Sequence, residues 1–160
     1  MVKINWGRVV LGGVVWVVVF NVLWFAAWIL FLRSEWMSAV AALGRTFPHT
    51  LGGLVLWLVL TFGGGIFVIW FYAAISRAFE GTPPERRILV GYGPGPRTAA
   101  GVGFIFWLIT GLGPMLWWAQ ILSLPAGLVA STLVVGLIAD MVATIGGAWP
   151  YKAEEAPSPR

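Results

Sequence analysis

The chain of 160 residues contains no cysteine and only one histidine, His49. The absence of cysteine excludes disulfide bonds, thiolate metal sites and thiol redox chemistry. The single histidine excludes a haem that is held by two histidines of the same chain. The pairing of a nucleophile with histidine that hydrolases use is also unsupported. We therefore expect a protein that is not an enzyme and has no metal site or cofactor, while bound lipid or pigment stays compatible with the sequence.

Charged residues are scarce, at 10% of the chain, whereas 59% of the residues are hydrophobic. Soluble domains are about one quarter charged. A chain this apolar cannot cover itself with polar surface in water, so the lipid bilayer is its expected partner. The net charge is +4, but no dense run of cations is present, and a nucleic-acid partner is not expected.

Four apolar stretches occupy residues 9–32, 51–75, 98–122 and 125–149. A helix of about 20 apolar residues is long enough to cross the hydrocarbon core of a bilayer. The sequence therefore predicts an all-α membrane protein, a four-transmembrane-helix bundle that forms a single domain over residues 1–152.

Two segments outside the four stretches also carry predictions. Residues 153–160 are polar and proline-rich, which predicts a disordered tail. The first loop, residues 33–50, is predicted to contain a short helix that lies in the membrane interface. Ser34 would cap this helix and Gly44 would end it.

The arginines and lysines are distributed unevenly among the loops. Of the ten cations, Arg33 and Arg45 lie in the first loop. The other eight lie in the N-terminal segment, the middle loop and the C-terminal segment. Since cytoplasmic loops carry an excess of cations, the pattern predicts a multi-pass protein of the bacterial inner membrane with both termini in the cytoplasm.

Asp140 is the only charged residue within the four apolar stretches. Placing an acidic side chain near the centre of a membrane helix costs about 2.5–3.5 kcal/mol on insertion scales. Small and polar residues recur every four positions around it and predict a helix surface that faces protein or water: Thr132, Gly136, Asp140, Thr144 and Ala148. Two interpretations are open, a carboxyl group that binds a proton or cation, and a structural carboxyl group bonded to Asn21, Thr110 or Arg97.

Other stretches become polar or irregular near the same depth. Asn21 lies near the middle of the first stretch, and Gly63, Gly64 and Gly65 interrupt the second. Pro114 cannot donate a backbone hydrogen bond, which predicts a kink and a free carbonyl group at Thr110. Together with Asp140 and Thr144, these groups would suit a binding site near the membrane midplane, whereas the glycines are also typical of close helix packing.

The sequence resembles a loose group of small, uncharacterised bacterial membrane proteins with four spans. The segments that carry the resemblance are NWGRVVLGG at 5–13, EWMSAVAALG at 35–44, WFYAAI at 70–75, GPGPRTA at 93–99 and ATIGGAW at 143–149. The resemblance implies a bacterial inner-membrane protein, and it implies no particular activity. In that group an acidic residue often follows the asparagine of the first helix, but here Val22 follows Asn21.

Three functional hypotheses follow from the sequence, and the least favoured is a membrane enzyme, because few residues could serve as a positioned acid, base or nucleophile. The preferred one is a structural or accessory subunit that packs with itself as an oligomer or with a larger membrane complex, such as an energy-transducing one. Small loops and many glycine and aromatic contact surfaces favour it. The alternative is a small proton- or cation-coupled transporter or channel that uses Asp140, Asn21 and the kink at Pro114.

Overall fold

A computed structural model describes residues 4–45, 50–78 and 95–152, and these residues form four long helices. Helix α1 comprises Trp6–Ala42, α2 Leu51–Ala78, α3 Pro96–Leu122 and α4 Ala126–Lys152. Each is long and apolar enough to cross a membrane. The predicted all-α protein with four spans is confirmed at this level.

Helices α1 and α4 lie antiparallel at the centre of the bundle. Arg8 near the start of α1 donates from Nη1 to the carbonyl oxygen of Pro150 near the end of α4, at 3.0 Å. At the opposite end, Trp36 Nε1 donates to Thr132 Oγ1 at 3.1 Å. Helix α2 packs mainly against α1, and α3 packs mainly against α4. We call the end at Arg8 the basic end and the other the distal end.

The core lies towards the basic end of the bundle. Trp16 and Phe20 of α1 pack there with Ile69 of α2, Val102 of α3 and Ala143 of α4, all of them buried. Small residues on α4 let the neighbouring helices approach closely, because helices in lipid associate through packing and not through the exclusion of water.

The helix predicted in the first loop differs from the observed one. Residues 33–42 are helical, but they continue α1 through a π turn, Trp28–Leu32, in which the Arg33 N–H bonds to the Trp28 carbonyl. Ser34 therefore lies inside a helix and caps nothing, and no separate interfacial helix exists in this segment. The reason is that no proline or glycine occurs between residues 26 and 43 to interrupt the backbone hydrogen bonds.

Gly44 ends α1, as its position predicts. Its φ is 67°, in the left-handed region that glycine adopts without steric cost. The Gly44 N–H bonds to the Ala41 carbonyl at 2.9 Å, and the Arg45 N–H bonds to the Val40 carbonyl at 3.2 Å. At 37 residues, α1 is about 55 Å long and exceeds the hydrocarbon thickness of about 30 Å.

Helix α3 is irregular where Pro114 predicts it. A π turn, Leu108–Leu112, separates the α-helical segments Pro96–Trp107 and Gly113–Leu122. The turn precedes Pro114 directly, where the missing N–H interrupts the regular ladder. The predicted tail, residues 153–160, and His49 lie outside the described residues.

Candidate functional site

One face of α4 carries the strongest candidate site. Five residues of α4 recur at every fourth position and are all buried against the other helices, as predicted: Thr132, Gly136, Asp140, Thr144 and Ala148. The small members allow this, because a Cβ added at Gly136 would contact Trp107 of α3 and Trp24 of α1 at 3.4–3.7 Å. The repeat thus places Asp140 inside the protein and away from lipid.

The Asp140 carboxyl group lies inside the bundle without an evident partner. The residue is 5% exposed, and its Oδ1 atom is buried and accepts no hydrogen bond from any described residue. Two arginine side chains near α4 bind groups other than the Asp140 carboxyl. Arg8 donates to the Pro150 carbonyl, and Arg77 Nε donates to the Tyr151 hydroxyl at 2.8 Å. Arg97 is exposed at the start of α3, and no ion pair joins Asp140 to a described residue.

Thr144 is the one predicted site residue that lies next to Asp140. Its hydroxyl group donates to the Asp140 main-chain carbonyl at 2.7 Å and accepts the indole N–H of Trp16 at 3.1 Å. Gly103 of α3 lies against the same turn, because a Cβ there would be 2.9 Å from both the Asp140 carbonyl oxygen and Thr144 Oγ1. These contacts fix the α4 backbone and leave the carboxyl group unbonded.

The structure does not bring the other two predicted polar residues to Asp140. Asn21 binds within α1 and to α2, since its Nδ2 donates to the Val17 carbonyl at 2.8 Å and its Oδ1 accepts from Trp57 Nε1 at 2.9 Å. Thr110 is exposed and donates to the Phe106 carbonyl of its own helix at 2.9 Å. Among the described residues, no hydrogen bond or ion pair joins Asp140 to Asn21, Thr110 or Arg97, so the structural interpretation has no contact that supports it.

Tryptophan side chains form several of the hydrogen bonds that join the helices of the bundle. Besides Trp16 and Trp57, Trp107 donates its indole N–H to the Leu133 carbonyl at 3.1 Å, and Trp36 donates to Thr132. Sequence reasoning did not identify these pairs. A signal exists, because a tryptophan away from the membrane interface needs an acceptor for its N–H, but the signal does not name the acceptor.

The predicted packing glycines have different surroundings. A Cβ at Gly65 would lie 2.8 Å from the Gly13 carbonyl oxygen of α1, so α1 and α2 nearly touch there. A Cβ at Gly64 would meet only Phe106, at 3.2 Å, and one at Gly63 would meet nothing within 4 Å. The close contact between α1 and α4 at Gly12 and Gly147 was missed, because neither glycine belongs to the four-residue repeat of α4.

The site contains one acidic group and lacks a neighbouring base or nucleophile among the described residues. Within that part of the chain, no group of three or more His, Cys, Asp and Glu residues is placed to hold a metal ion. Chemically, the arrangement offers one carboxyl group for a proton or a small cation. No protein-family model, curated protein or solved structure significantly matches this chain.

Proposed function

We propose that this protein is a non-catalytic membrane subunit that packs laterally against another membrane-spanning helix. The second helix belongs to another copy of the chain or to a larger membrane complex, such as an energy-transducing one. The observation that supports this proposal is the lack of packing around the distal half of α2.

Helix α2 is divided sharply into two halves. Its buried residues all lie between Thr61 and Ser76. Of residues 51–60, only Trp57 is partly buried, and the other nine are exposed. The basic half of α2 is therefore part of the bundle, whereas the distal half extends as an apolar helix that the other described residues contact little.

One face of this exposed half has the shape of a helix-packing surface. Gly52, Leu56, Val59 and Gly63 are spaced by four, three and four residues, so they lie on one side of α2. A Cβ added at Gly52 or Gly63 would meet nothing within 4 Å. Small residues that flank larger apolar ones let a second membrane helix approach its partner closely, and we define these four residues as the α2 face.

The α2 face can be tested by adding bulk where this chain has room for it. Gly63→Leu should leave the monomer folded and shift the complex toward monomer, because the new side chain projects only into the partner helix. The protein is extracted with its native lipid, and the mass of the particle is compared with the 17.4 kDa chain. Ile138→Phe, on the exposed surface of α4, is the matched control and should not change the mass.

A wild-type particle that contains a single chain and no copurifying polypeptide contradicts the subunit proposal. The same conclusion follows if Gly63→Leu and Ile138→Phe give the same mass as the wild type. Gly65→Leu provides the opposite control, since a Cβ at Gly65 already meets the α1 backbone and the variant should unfold the bundle itself.

A second candidate function is supported by the unpartnered Asp140 carboxyl group. In this function the protein is a small transporter or channel that couples to a proton or a cation at Asp140. Ionisable groups inside membrane proteins commonly mark ion pathways and proton relays. Liposomes that contain the protein should then show proton-dependent flux that Asp140→Asn abolishes, and equal flux in the two proteins would remove Asp140 from the mechanism.

We assign the protein to the bacterial inner membrane, with both termini in the cytoplasm. The distribution of the cations supports this orientation, because the basic end of the bundle carries Arg8, Arg77 and Arg97, at the start of α1, the end of α2 and the start of α3. The chain has no cysteine. A single cysteine can therefore be introduced either in place of Arg45 or in the C-terminal segment and labelled with a maleimide that does not cross the membrane. Labelling of the C-terminal cysteine in intact cells would reverse the assignment.

A further inference from the structure

An open groove lies between α1 and α4 at the distal end of the bundle. Its volume is about 580 Å³, within the range of ligand sites, about 300–1,000 Å³. Ser34, Glu35, Ser38 and Ala39 of α1 form one wall, and Gly127 and Leu128 of α4 belong to the other. We call it the distal groove, and it shares no residue with the α2 face or with Asp140.

Short side chains keep the groove open, and a hydrogen bond beside it holds the walls together. A Cβ added at Gly127 would meet nothing within 4 Å, and Ala39 faces it with a single methyl group. The indole of Trp36 reaches across to the Thr132 hydroxyl at 3.1 Å. The spacing of the two helices is therefore set by this contact, and the space next to it is left unfilled.

The polar part of the groove consists of hydrogen-bond acceptors that match an ammonium group. Glu35 supplies a carboxylate, and Ser34 and Ser38 supply two hydroxyl oxygens, on exposed and accessible positions. A primary ammonium group has three N–H donors and no acceptor, so one carboxylate and two hydroxyls satisfy it. Its bond to the carboxylate is strengthened by the opposite charges.

Among the described cations, none forms an ion pair with the Glu35 carboxylate. Arg33 is two residues away on the same helix and does not line the groove. No ion pair of Glu35 is seen among the described residues. Glu35 is also the only acidic residue in the first 79 residues of the sequence, so the negative charge at this end of the bundle is concentrated in the groove.

The depth of the groove indicates an amphiphilic occupant. The apolar turn Trp28–Leu32 ends just before Arg33 and Glu35, and α4 begins at Ala126 with its apolar span. Lipid headgroups lie where apolar spans give way to charged residues, and Trp36 is of the type that concentrates at this level. Pro125, which is exposed, and Ala39 supply apolar surface next to the acceptors.

We propose that the distal groove binds the headgroup of a phospholipid that carries a primary ammonium group, of the ethanolamine type. The ammonium group contacts Glu35, Ser34 and Ser38, and the adjoining part of the lipid lies along Ala39 and Pro125. A choline headgroup has the same charge but lacks N–H donors, so it cannot make these hydrogen bonds. The proposal does not depend on the subunit function proposed above.

Native mass spectrometry of the delipidated full-length protein tests the proposal. Phosphatidylethanolamine and phosphatidylcholine with identical acyl chains are added at equal concentration, and retention of each lipid is measured. The wild type should bind phosphatidylethanolamine about tenfold more tightly, the discrimination expected from a charge-assisted hydrogen bond. Glu35→Gln should reduce this preference to within about twofold, whereas Glu85→Gln, in the segment between α2 and α3, should keep it.

A second variant blocks the groove without changing its charge. Ala39→Leu fills the space beside Glu35 and should reduce binding of phosphatidylethanolamine while Glu35 is still present. Free ethanolamine should compete only weakly, because it lacks the apolar part of the lipid. Equal binding of the two lipids by the wild type, an unchanged preference in Glu35→Gln, or full displacement by an equal concentration of free ethanolamine would overturn the proposal.

Discussion

The tight contact between α1 and α4 makes Gly147 the most informative position for a test of the fold. A Cβ at Gly147 would lie 2.7 Å from the Gly12 carbonyl oxygen and 2.7 Å from Ile69 Cδ1. Both distances are far shorter than the carbon contacts of about 3.5–4.0 Å that packing favours. The oxygen belongs to the α1 backbone and cannot rotate away, so Gly147→Ala must push the two helices apart.

The expected cost of Gly147→Ala follows from overpacking. Extra methyl or methylene groups in a well-packed core typically cost about 1–3 kcal/mol, which is roughly a 5- to 150-fold decrease in the folding equilibrium constant. Gly146→Ala is a matched control on the next residue, where a Cβ would meet Val19 Cγ2 at 3.6 Å, an ordinary contact. Both substitutions gain the same intrinsic helix propensity, so their difference isolates the contact with α1.

The assay is reversible unfolding in mixed micelles, followed by tryptophan fluorescence. Trp16 lies in the same core, so its emission should report separation of the helices. Gly147→Ala should lower the free energy of unfolding by about 1–3 kcal/mol relative to Gly146→Ala. Equal stability of the two variants would refute the close approach of Gly12 and Gly147 and, with it, the packing of the central helix pair.

Three further predictions follow from the polar groups. Thr144→Val should lower the free energy of unfolding by about 0.6–1.7 kcal/mol, the range measured for hydrogen bonds between membrane helices, since it leaves the Trp16 N–H unbonded; Thr110→Val, at an exposed hydroxyl bonded to its own helix, should not, and equal losses would contradict the contact. Asp140→Asn should not lower the free energy of unfolding, since Oδ1 accepts no hydrogen bond from a described residue; a loss of about 2 kcal/mol or more, the range for a hydrogen bond to a charged group, would reveal a partner. Trp57→Phe should free the Asn21 Oδ1 atom and increase hydrogen exchange of the Asn21 side-chain amide, measured by NMR, whereas Trp149→Phe, at an exposed ring, should not.

The spans and the buried face of α4 are properties that the sequence determines locally. Apolar length alone predicts four membrane helices. The spacing of Thr132, Gly136 and Asp140 predicts which side of α4 is buried, since every fourth residue lies on one helix face. The first loop is harder to predict, because Arg33 and Ser34 are polar, which suggests the end of a membrane helix, yet both residues are compatible with a helix that continues.

The pairs between helices could not be predicted, because they depend on how each helix is rotated about its axis. Trp16 and Thr144 are 128 residues apart, and Trp57 and Asn21 are 36 apart. A rotation of either helix would give each indole another acceptor while the hydropathy pattern stayed the same. For the same reason the observed hydrogen bonds of Asn21 and Thr110 lead to groups other than Asp140, although all three residues lie near the middle of their apolar stretches.

Asp140 differs from Thr144 and Asn21, the two predicted polar residues that bond to another helix, and the difference bears on its role. The Thr144 hydroxyl and the Asn21 amide oxygen each accept an indole N–H from another helix, which is the arrangement expected of groups that hold helices together. The Asp140 carboxyl group makes no such bond among the described residues, although Thr144, Gly103 and Trp16 lie around its helical turn. A side chain that costs insertion energy and joins no helices is poorly explained by stability alone. The stability of the Asp140→Asn protein and its ion flux in liposomes therefore form one test. Unchanged stability with lost flux would favour the transporter over the packing subunit.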